Sequence, residues 1–149
     1  LSESGAGDLR VRVATSLKAV PAAAWDACAH PAPPDGLPSG LDRENPFISY
    51  AFLRALEESG CVGGRSGWSP AYLLVEDGED RLLAAAPSFL KSHSQGEYVF
   101  DHSWADAYQR AGGRYYPKIQ VAAPFTPATG PRLLVAPGPR ADEARAGLI

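Results

Sequence analysis

Two apolar runs, Ala71 to Glu76 and Leu82 to Leu90, flank the cluster Asp77-Gly78-Glu79-Asp80. A short turn-forming cluster between two strand-forming runs predicts an antiparallel hairpin in the middle of the chain. That hairpin constrains everything around it. Before it, Leu9, Val11 and Val13 alternate with Arg10 and Arg12, the period of a half-buried strand. Pro21 suits the first turn of a short helix running through Trp25 to Ala29. Ser49 is a good N-cap for a second helix, with Ile48 and Leu53 as a hydrophobic staple and Ser59-Gly60 as its end.

After the hairpin, a strand is expected over Glu97 to Asp101. Ser103 and Asp106 have the spacing of a capping box for a helix closed by Gly112 and Gly113. Lys118 to Ala123 and Arg132 to Val135 read as further strands. The order strand, helix, helix, hairpin, strand, helix, strand predicts an α/β chain of the α+β type. Its helices pack on a mixed, mostly antiparallel sheet and not on a doubly wound parallel one. The Pro- and Gly-rich stretch 30–45 reads as a surface loop within that unit.

The 149 residues, 45% of them hydrophobic, suit one domain with a sizeable core. There is no methionine, the first residue is Leu1, and Asp142 and Glu143 open a helix whose apolar pattern then stops. The expectation is therefore a piece of a longer protein. A net charge of −3, from 14 basic and 17 acidic residues, argues against a protein built to hold nucleic acid along a basic face. Cys28 and Cys61 show no paired spacing and read as reduced thiols, which suggests the cytoplasm. No apolar run reaches the roughly 18 residues of a membrane helix.

The chemistry-bearing side chains concentrate between Lys91 and Lys118; within Lys91 to Tyr108 alone, two histidines, three carboxylates, two tyrosines and a tryptophan surround one short predicted strand. On that strand, alternation places Glu97, Val99 and Asp101 on one face and Tyr98, Phe100 and His102 on the other, so the two acids converge on a shared pocket. Capping accounts for Ser103 and Asp106, and Trp104 with Tyr108, four apart on a helix, reads as a core pair. His93 and His102 lack HxH or HExxH spacing and a third ligand, so no metal site is expected. Further on, prolines between Pro117 and Pro131 stiffen a loop that can present Lys118 and Arg132 to an anionic group.

Gln109-Arg-Ala-Gly-Gly-Arg114 faintly echoes the Q/R-x-x-G-x-G/A loop with which GNAT acetyltransferases hold a coenzyme A pyrophosphate. The match fails, because Arg114 replaces the small last residue. The glycines also close a predicted helix, whereas an anion cradle leads into a helix N-terminus.

Several segments together carry a more specific likeness: Asn45-Pro-Phe-Ile-Ser, Phe52-Leu-Arg-Ala-Leu-Glu-Glu-Ser-Gly60, Lys91-Ser-His-Ser-Gln-Gly-Glu-Tyr-Val-Phe-Asp101, Trp104-Ala-Asp-Ala-Tyr108, Tyr115-Tyr-Pro-Lys118 and Pro124-Phe-Thr-Pro-Ala-Thr-Gly-Pro-Arg132. From Asn45 to Val135 the chain resembles the FemAB-like predicted N-acyltransferases of the GNAT superfamily. The resemblance implies a longer tandem protein whose N-terminal GNAT-like half-domain occupies residues 1–149. Acyl-CoA (acetyl-CoA), or aminoacyl-tRNA as in the Fem-type relatives, would be the donor, bound mainly by the other half. A small-molecule or peptide amine would be the acceptor. The net charge gives no support to tRNA, and neither DNA nor a membrane is an expected partner.

Amine acylation needs a base for the ammonium proton and a donor for the developing oxyanion. On residue chemistry the base candidates are Glu97 and Asp101, then His93 and His102. Lys118, Tyr108, Tyr116 and Arg132 are the substrate-binding candidates. The alternative is a non-catalytic half that recognises substrate or supports its sister half.

Overall fold

A computed structural model describes residues 8–32, 45–95, 97 and 100–149. Most of the proline-rich stretch expected as a surface loop falls on 33–44, outside the described residues. The chain is α+β, as expected. Among the described residues the strands form two sheets, and every pairing within them is antiparallel. The first sheet has four strands in the order β1 (Arg10–Ala14), β3 (Tyr72–Glu76), β4 (Leu82–Ala86), β7 (Leu134–Val135). The second has three, in the order β2 (Trp68–Pro70), β5 (Ser88–Lys91), β6 (Lys118–Val121).

The predicted hairpin is the part the two sheets share. Its first arm runs β2 then β3 with Ala71 between them, and its second runs β4 then β5 with Pro87 between them. Pro70 pairs with Phe89 in one sheet and Leu73 with Ala86 in the other, so one long hairpin bends between sheets at Ala71 and Pro87. Proline has no N–H to give to a ladder, which makes the fully buried Pro87 a natural break. The bend is held by the Ala71 N–H donating to the Ser88 carbonyl at 3.0 Å and by the Ser88 hydroxyl donating to the Ala71 carbonyl.

Helices α1 (Ala22–Ala29) and α2 (Tyr50–Glu58) cover the inner face. The Ser49 side chain accepts from the Phe52 N–H at 3.2 Å, as its N-cap role predicts, and Asp26 of α1 accepts from the Tyr50 N–H at 2.8 Å. Two first-turn donors of α2 are thereby satisfied, one locally and one across the helix pair. Ile48 and Leu53 are both buried in the core. Glu57 ties the far end of α2 to the start of the chain, accepting from the Ser16 hydroxyl at 2.6 Å and the Leu17 N–H at 2.8 Å.

Aromatic rings run through this core in a continuous series. Trp25 meets Tyr72 at 5.6 Å, Tyr72 meets Phe89 at 5.4 Å, Phe89 meets Trp68 at 5.3 Å, and Trp68 meets Phe125 at 5.4 Å. The first three contacts are edge-to-face, the arrangement ring quadrupoles favour. The series joins α1 to both sheets and ends on the loop after β6.

The first strand departs from expectation. Val11 and Val13 are 53% and 55% exposed, while Arg10 and Arg12 share a face with the buried Ala14 and pair with Glu76. Hydrogen bonds from Arg12 first, and then from Arg10, hold the nearly buried Glu76 carboxyl below its ordinary range. Because β1 is an edge strand, its valines lie opposite Val75 and Leu73 on the sheet's outer face. There α4 (Ala141–Ala146) packs Ala144 against Val75 and Ala84 without shielding either valine.

The expected strand from Glu97 to Asp101 also changes. Glu97, Phe100 and Asp101 belong to no strand, and Tyr98 and Val99 lie outside the described residues. The two acids are drawn instead to the lysines of β5 and β6. Helix α3 (His102–Arg110) has Asp101 at its N-cap, so Ser103 lies inside the helix and caps nothing. Trp104 and Tyr108, expected in the core, are 73% and 54% exposed, and Ala105 is the one buried residue of α3.

The two cysteines differ sharply. Burial pushes the Cys28 thiol up to about 11, only partly opposed by a backbone hydrogen bond at Ala136, whereas Cys61 is exposed. Since the thiolate is the reactive species, a maleimide should modify Cys61 alone in the native protein and Cys28 only in denaturant. Mass spectrometry counts the adducts, and two adducts per native chain would contradict this core.

Candidate functional site

The site grows from one rung of the second sheet. Trp68 pairs with Lys91 and Lys91 with Lys118, so these three side chains leave β2, β5 and β6 on the same face. Period two also puts Lys91 on the face of Phe89, which is fully buried, and this carries the lysine inward. Lys91 has no exposure to solvent. Its ammonium lies 3.8 Å from the centre of the Trp68 ring and donates to Oε1 of Glu97. Burial holds the ammonium below the ordinary lysine range against the pull of Glu97.

The neighbouring lysine is answered by the other acid. Lys118 donates to Oδ2 of Asp101, which also accepts from the Tyr115 hydroxyl at 3.0 Å, while Oδ1 accepts from the Tyr116 hydroxyl at 2.8 Å. The Tyr116 hydroxyl in turn hydrogen-bonds the Ser94 hydroxyl. Burial alone would raise Asp101. Hydrogen bonds from Lys118 first, and then from Tyr116 and Tyr115, with the Ser94 hydroxyl close behind Tyr116, overwhelm that effect and hold the carboxyl far below its usual range. Lys118 moves the opposite way, because its bonds to Asp101 and Tyr115 outweigh the burial that would lower it.

The two carboxylates are therefore unequal. Asp101 has both oxygens filled by donors and is a poor proton acceptor. Glu97 has one oxygen on Lys91, and among the described residues nothing donates to the other. Glu97 also lines a small cavity of about 90 Å³ with Trp68, Gln120 and Thr126.

The remaining sequence candidates lie around this pair of networks. The His93 ring packs on Gly67, where a β-carbon would collide with it. Its Nε2 lies 3.3 Å from the Arg65 carbonyl and its Nδ1 accepts from the Gln95 N–H at 3.2 Å, so both nitrogens are engaged with backbone. His102 stacks on Phe100 at 5.4 Å in an exposed position at the start of α3. Tyr108 touches the Asp101 network only through the Tyr115 ring, at 6.1 Å. Arg132 directs its guanidinium to the carbonyls of Ala128, Gly130 and Pro131 in its own loop. The turn at Gly112-Gly113 closes α3, and Tyr108 fills the space beside Gly113, so that turn offers no cradle for a pyrophosphate.

Of the sequence candidates, the structure brings together Glu97, Asp101, Tyr116 and Lys118; their partners Lys91, Ser94 and Tyr115 were not among them. The signal for Lys91 was present in Ser88-Phe-Leu-Lys91, where alternation sets the lysine on the phenylalanine's side. Also absent from the candidates is a larger apolar groove of about 660 Å³ beside the small cavity, with walls formed by Phe47, Phe52 and Pro124. Contact between segments so distant in sequence leaves no local pattern.

Two outcomes test these networks. Lys91→Met leaves the almost buried Glu97 without its cation and should destabilise the fold by about 3–5 kcal/mol, while Lys91→Met with Glu97→Gln should return close to the parent in urea unfolding. Additive losses would show that the pair is not coupled. Asp101 has a depressed folded-state pKa, so its contribution is full above the unfolded value and is lost as pH falls through the folded one. The melting-temperature gap between the parent and Asp101→Asn should therefore stay level from neutral pH to about pH 5 and narrow below about pH 4.

Comparison with known proteins agrees with the likeness in the sequence. A family model for FemAB-like proteins, described as peptidoglycan biosynthesis/recognition, matches residues 16–149. No curated protein and no solved structure matches the chain. With almost the whole sequence covered by that family model, including both lysine–carboxylate networks, the chain belongs to the FemAB-like family.

Proposed function

We propose that this chain forms the acceptor side of an N-acyltransferase acting on peptidoglycan-related amines, with Glu97 as the catalytic base. The observation that carries this reading is the inequality of the two carboxylates. Glu97 lines a cavity and keeps an oxygen for an incoming ammonium, and Asp101 is saturated. In the reaction, Glu97 takes a proton from the ammonium. The freed amine attacks the carbonyl of a thioester or aminoacyl ester, and the thiol or hydroxyl leaves with a proton. Lys91, fixed on Trp68, orients the base.

Lys118, whose ammonium has a third N–H beyond those given to Asp101 and Tyr115, stands beside that base as a donor for an anionic part of the acceptor, with Asp101 as the positioning residue that holds it and Tyr116 packed alongside. Tyr108 extends this surface through Tyr115. The family description supports a peptidoglycan-related substrate. The donor, acyl-CoA or aminoacyl-tRNA, is assigned to a region beyond these networks. His93 and His102 are second to Glu97 as bases, because one is engaged by backbone and the other stacks on Phe100 at the surface.

Transfer from CoA thioesters and from aminoacyl-tRNA to a peptidoglycan stem peptide with a free amine tests the reading in the full-length protein. Glu97→Gln leaves the buried Lys91 ammonium without its anion, so it is compared with the Lys91→Met, Glu97→Gln double variant, and both should lower kcat by about 10²-fold or more. Asp101→Asn should raise KM more than it lowers kcat, since it loosens Lys118 and Tyr116 without removing the base. Unchanged rates in Glu97→Gln would favour the alternative of a non-catalytic recognition half.

A further inference from the structure

The apolar groove and the small polar cavity are adjacent and share two walls, Phe125 and Thr126. Beyond those walls they differ in chemistry. The groove, about 660 Å³, is faced by the Phe47 and Phe52 rings, which meet edge-to-face at 5.3 Å, and by Leu56 and Pro124. The cavity, about 90 Å³, is lined by the polar residues Glu97, Gln120 and Thr126 together with Trp68 and two alanines. Glu97 is the one charged side chain lining either space among the described residues. Lys91, which shares that carboxylate, is wholly buried behind it and out of reach of a ligand.

Phe125 divides the two spaces. It holds φ at 59°, a left-handed conformation that a bulky side chain rarely adopts, and its ring rests 5.4 Å from Trp68 while staying 36% exposed. Such a conformation persists only where the surrounding structure holds it in place. The loop around it is tied down from outside by Asn45, which donates to the Thr129 carbonyl at 2.7 Å, and from within by Arg132, which bonds three of the loop's own carbonyls.

We propose that the groove and the cavity are a single binding site for a primary amine carried on an apolar body, the ammonium seated on Glu97 and the hydrocarbon or aromatic part lying in the groove. The sizes agree with this division. The inner space admits a head of a few heavy atoms, and the outer one falls in the range that accommodates a drug-sized body. The Glu97 oxygen not bonded to Lys91 can only accept, which favours an ammonium, with its charge-assisted bond, over an alcohol and gives a carboxylate nothing to bond to. The naming of this amine as the acyl acceptor rests on the function proposed above; its binding does not.

Cys61 lines the groove and is exposed, which provides a reporter independent of turnover. Three probes share one body: 4-phenylbutylamine, 4-phenylbutanol and 4-phenylbutanoate. Calorimetry with the full-length protein should show the amine binding at least about tenfold more tightly than the alcohol, with no binding of the carboxylate. Saturating amine should slow maleimide modification of Cys61 severalfold. Glu97→Gln should weaken the amine about tenfold and leave the alcohol unchanged. Cys61→Trp, a surface substitution that fills the groove and leaves the core alone, should abolish binding of both.

Equal affinity for all three probes, unaltered Cys61 modification at saturation, or full binding by Cys61→Trp would each overturn the proposal. Tight amine binding together with an unaffected transfer rate in Glu97→Gln would keep the site and overturn only its catalytic reading. Turnover of wholly polar amines with no binding of the phenylbutylamine would keep the catalytic reading and overturn the site.

Discussion

A lysine ammonium with no contact with water is the constraint around which this structure is arranged. Removing such a charge from water costs several kcal/mol unless partners replace the solvent. Lys91 finds them in the Glu97 carboxylate and the face of the Trp68 ring. Both partners must be in register. Trp68 is supplied by strand pairing directly across from Lys91, and Glu97 lies six residues beyond it in the chain. The bend of the long hairpin at Ala71 and Pro87 brings Trp68 and Phe89 into the same core as Tyr72 and Trp25. Moving the hairpin by one residue would turn Lys91 to the outer face and lose all of these contacts together.

The second lysine–carboxylate pair follows from the first. Lys118 faces Lys91 across β5 and β6, and two ammonium groups on adjacent strands repel. Each is answered by its own acid from the connecting segment, Glu97 for one and Asp101 for the other. Asp101 then does two further things: it accepts from Tyr115 and Tyr116, and its backbone carbonyl receives the first bond of α3 from the Ala105 N–H at 3.0 Å. With both carboxylate oxygens committed, its side chain caps no helix N–H. The helix therefore begins where electrostatics places Asp101.

That competition explains which features could be read from the sequence. The hairpin and the α2 cap rest on neighbouring residues, so Asp77-Gly78-Glu79-Asp80 and Ser49 announced them. The start of α3 did not, because Ser103 and Asp106 carry a local capping pattern that a distant lysine overrides. Val11 and Val13 misled for a related reason. Alternation shows which residues share a face and does not show which face is covered, and here Glu76 draws the two arginines to the inner side. Of the site, the acids and Lys118 were legible as unusual residues. Their partners and the groove were not, since Phe47, Trp68, Gln120 and Phe125 meet only through tertiary packing.

The left-handed Phe125 shows how the core and the site are coupled. Such a conformation costs of order 1–3 kcal/mol and persists only where the surroundings fix it from several directions. One direction is the ring series from Trp25 through Tyr72, Phe89 and Trp68, which ends against Phe125. Another is the binding of its loop to Asn45 and Arg132. Asn45 is itself held, its carbonyl lying 3.0 Å from Nε2 of His30 at the end of α1. Both routes lead back to α1, one through the core and one along the surface, and they converge on the wall between groove and cavity. A disturbance of α1 packing would therefore be felt at Phe125, so the precision of the site depends on the same aromatic contacts that stabilise the fold.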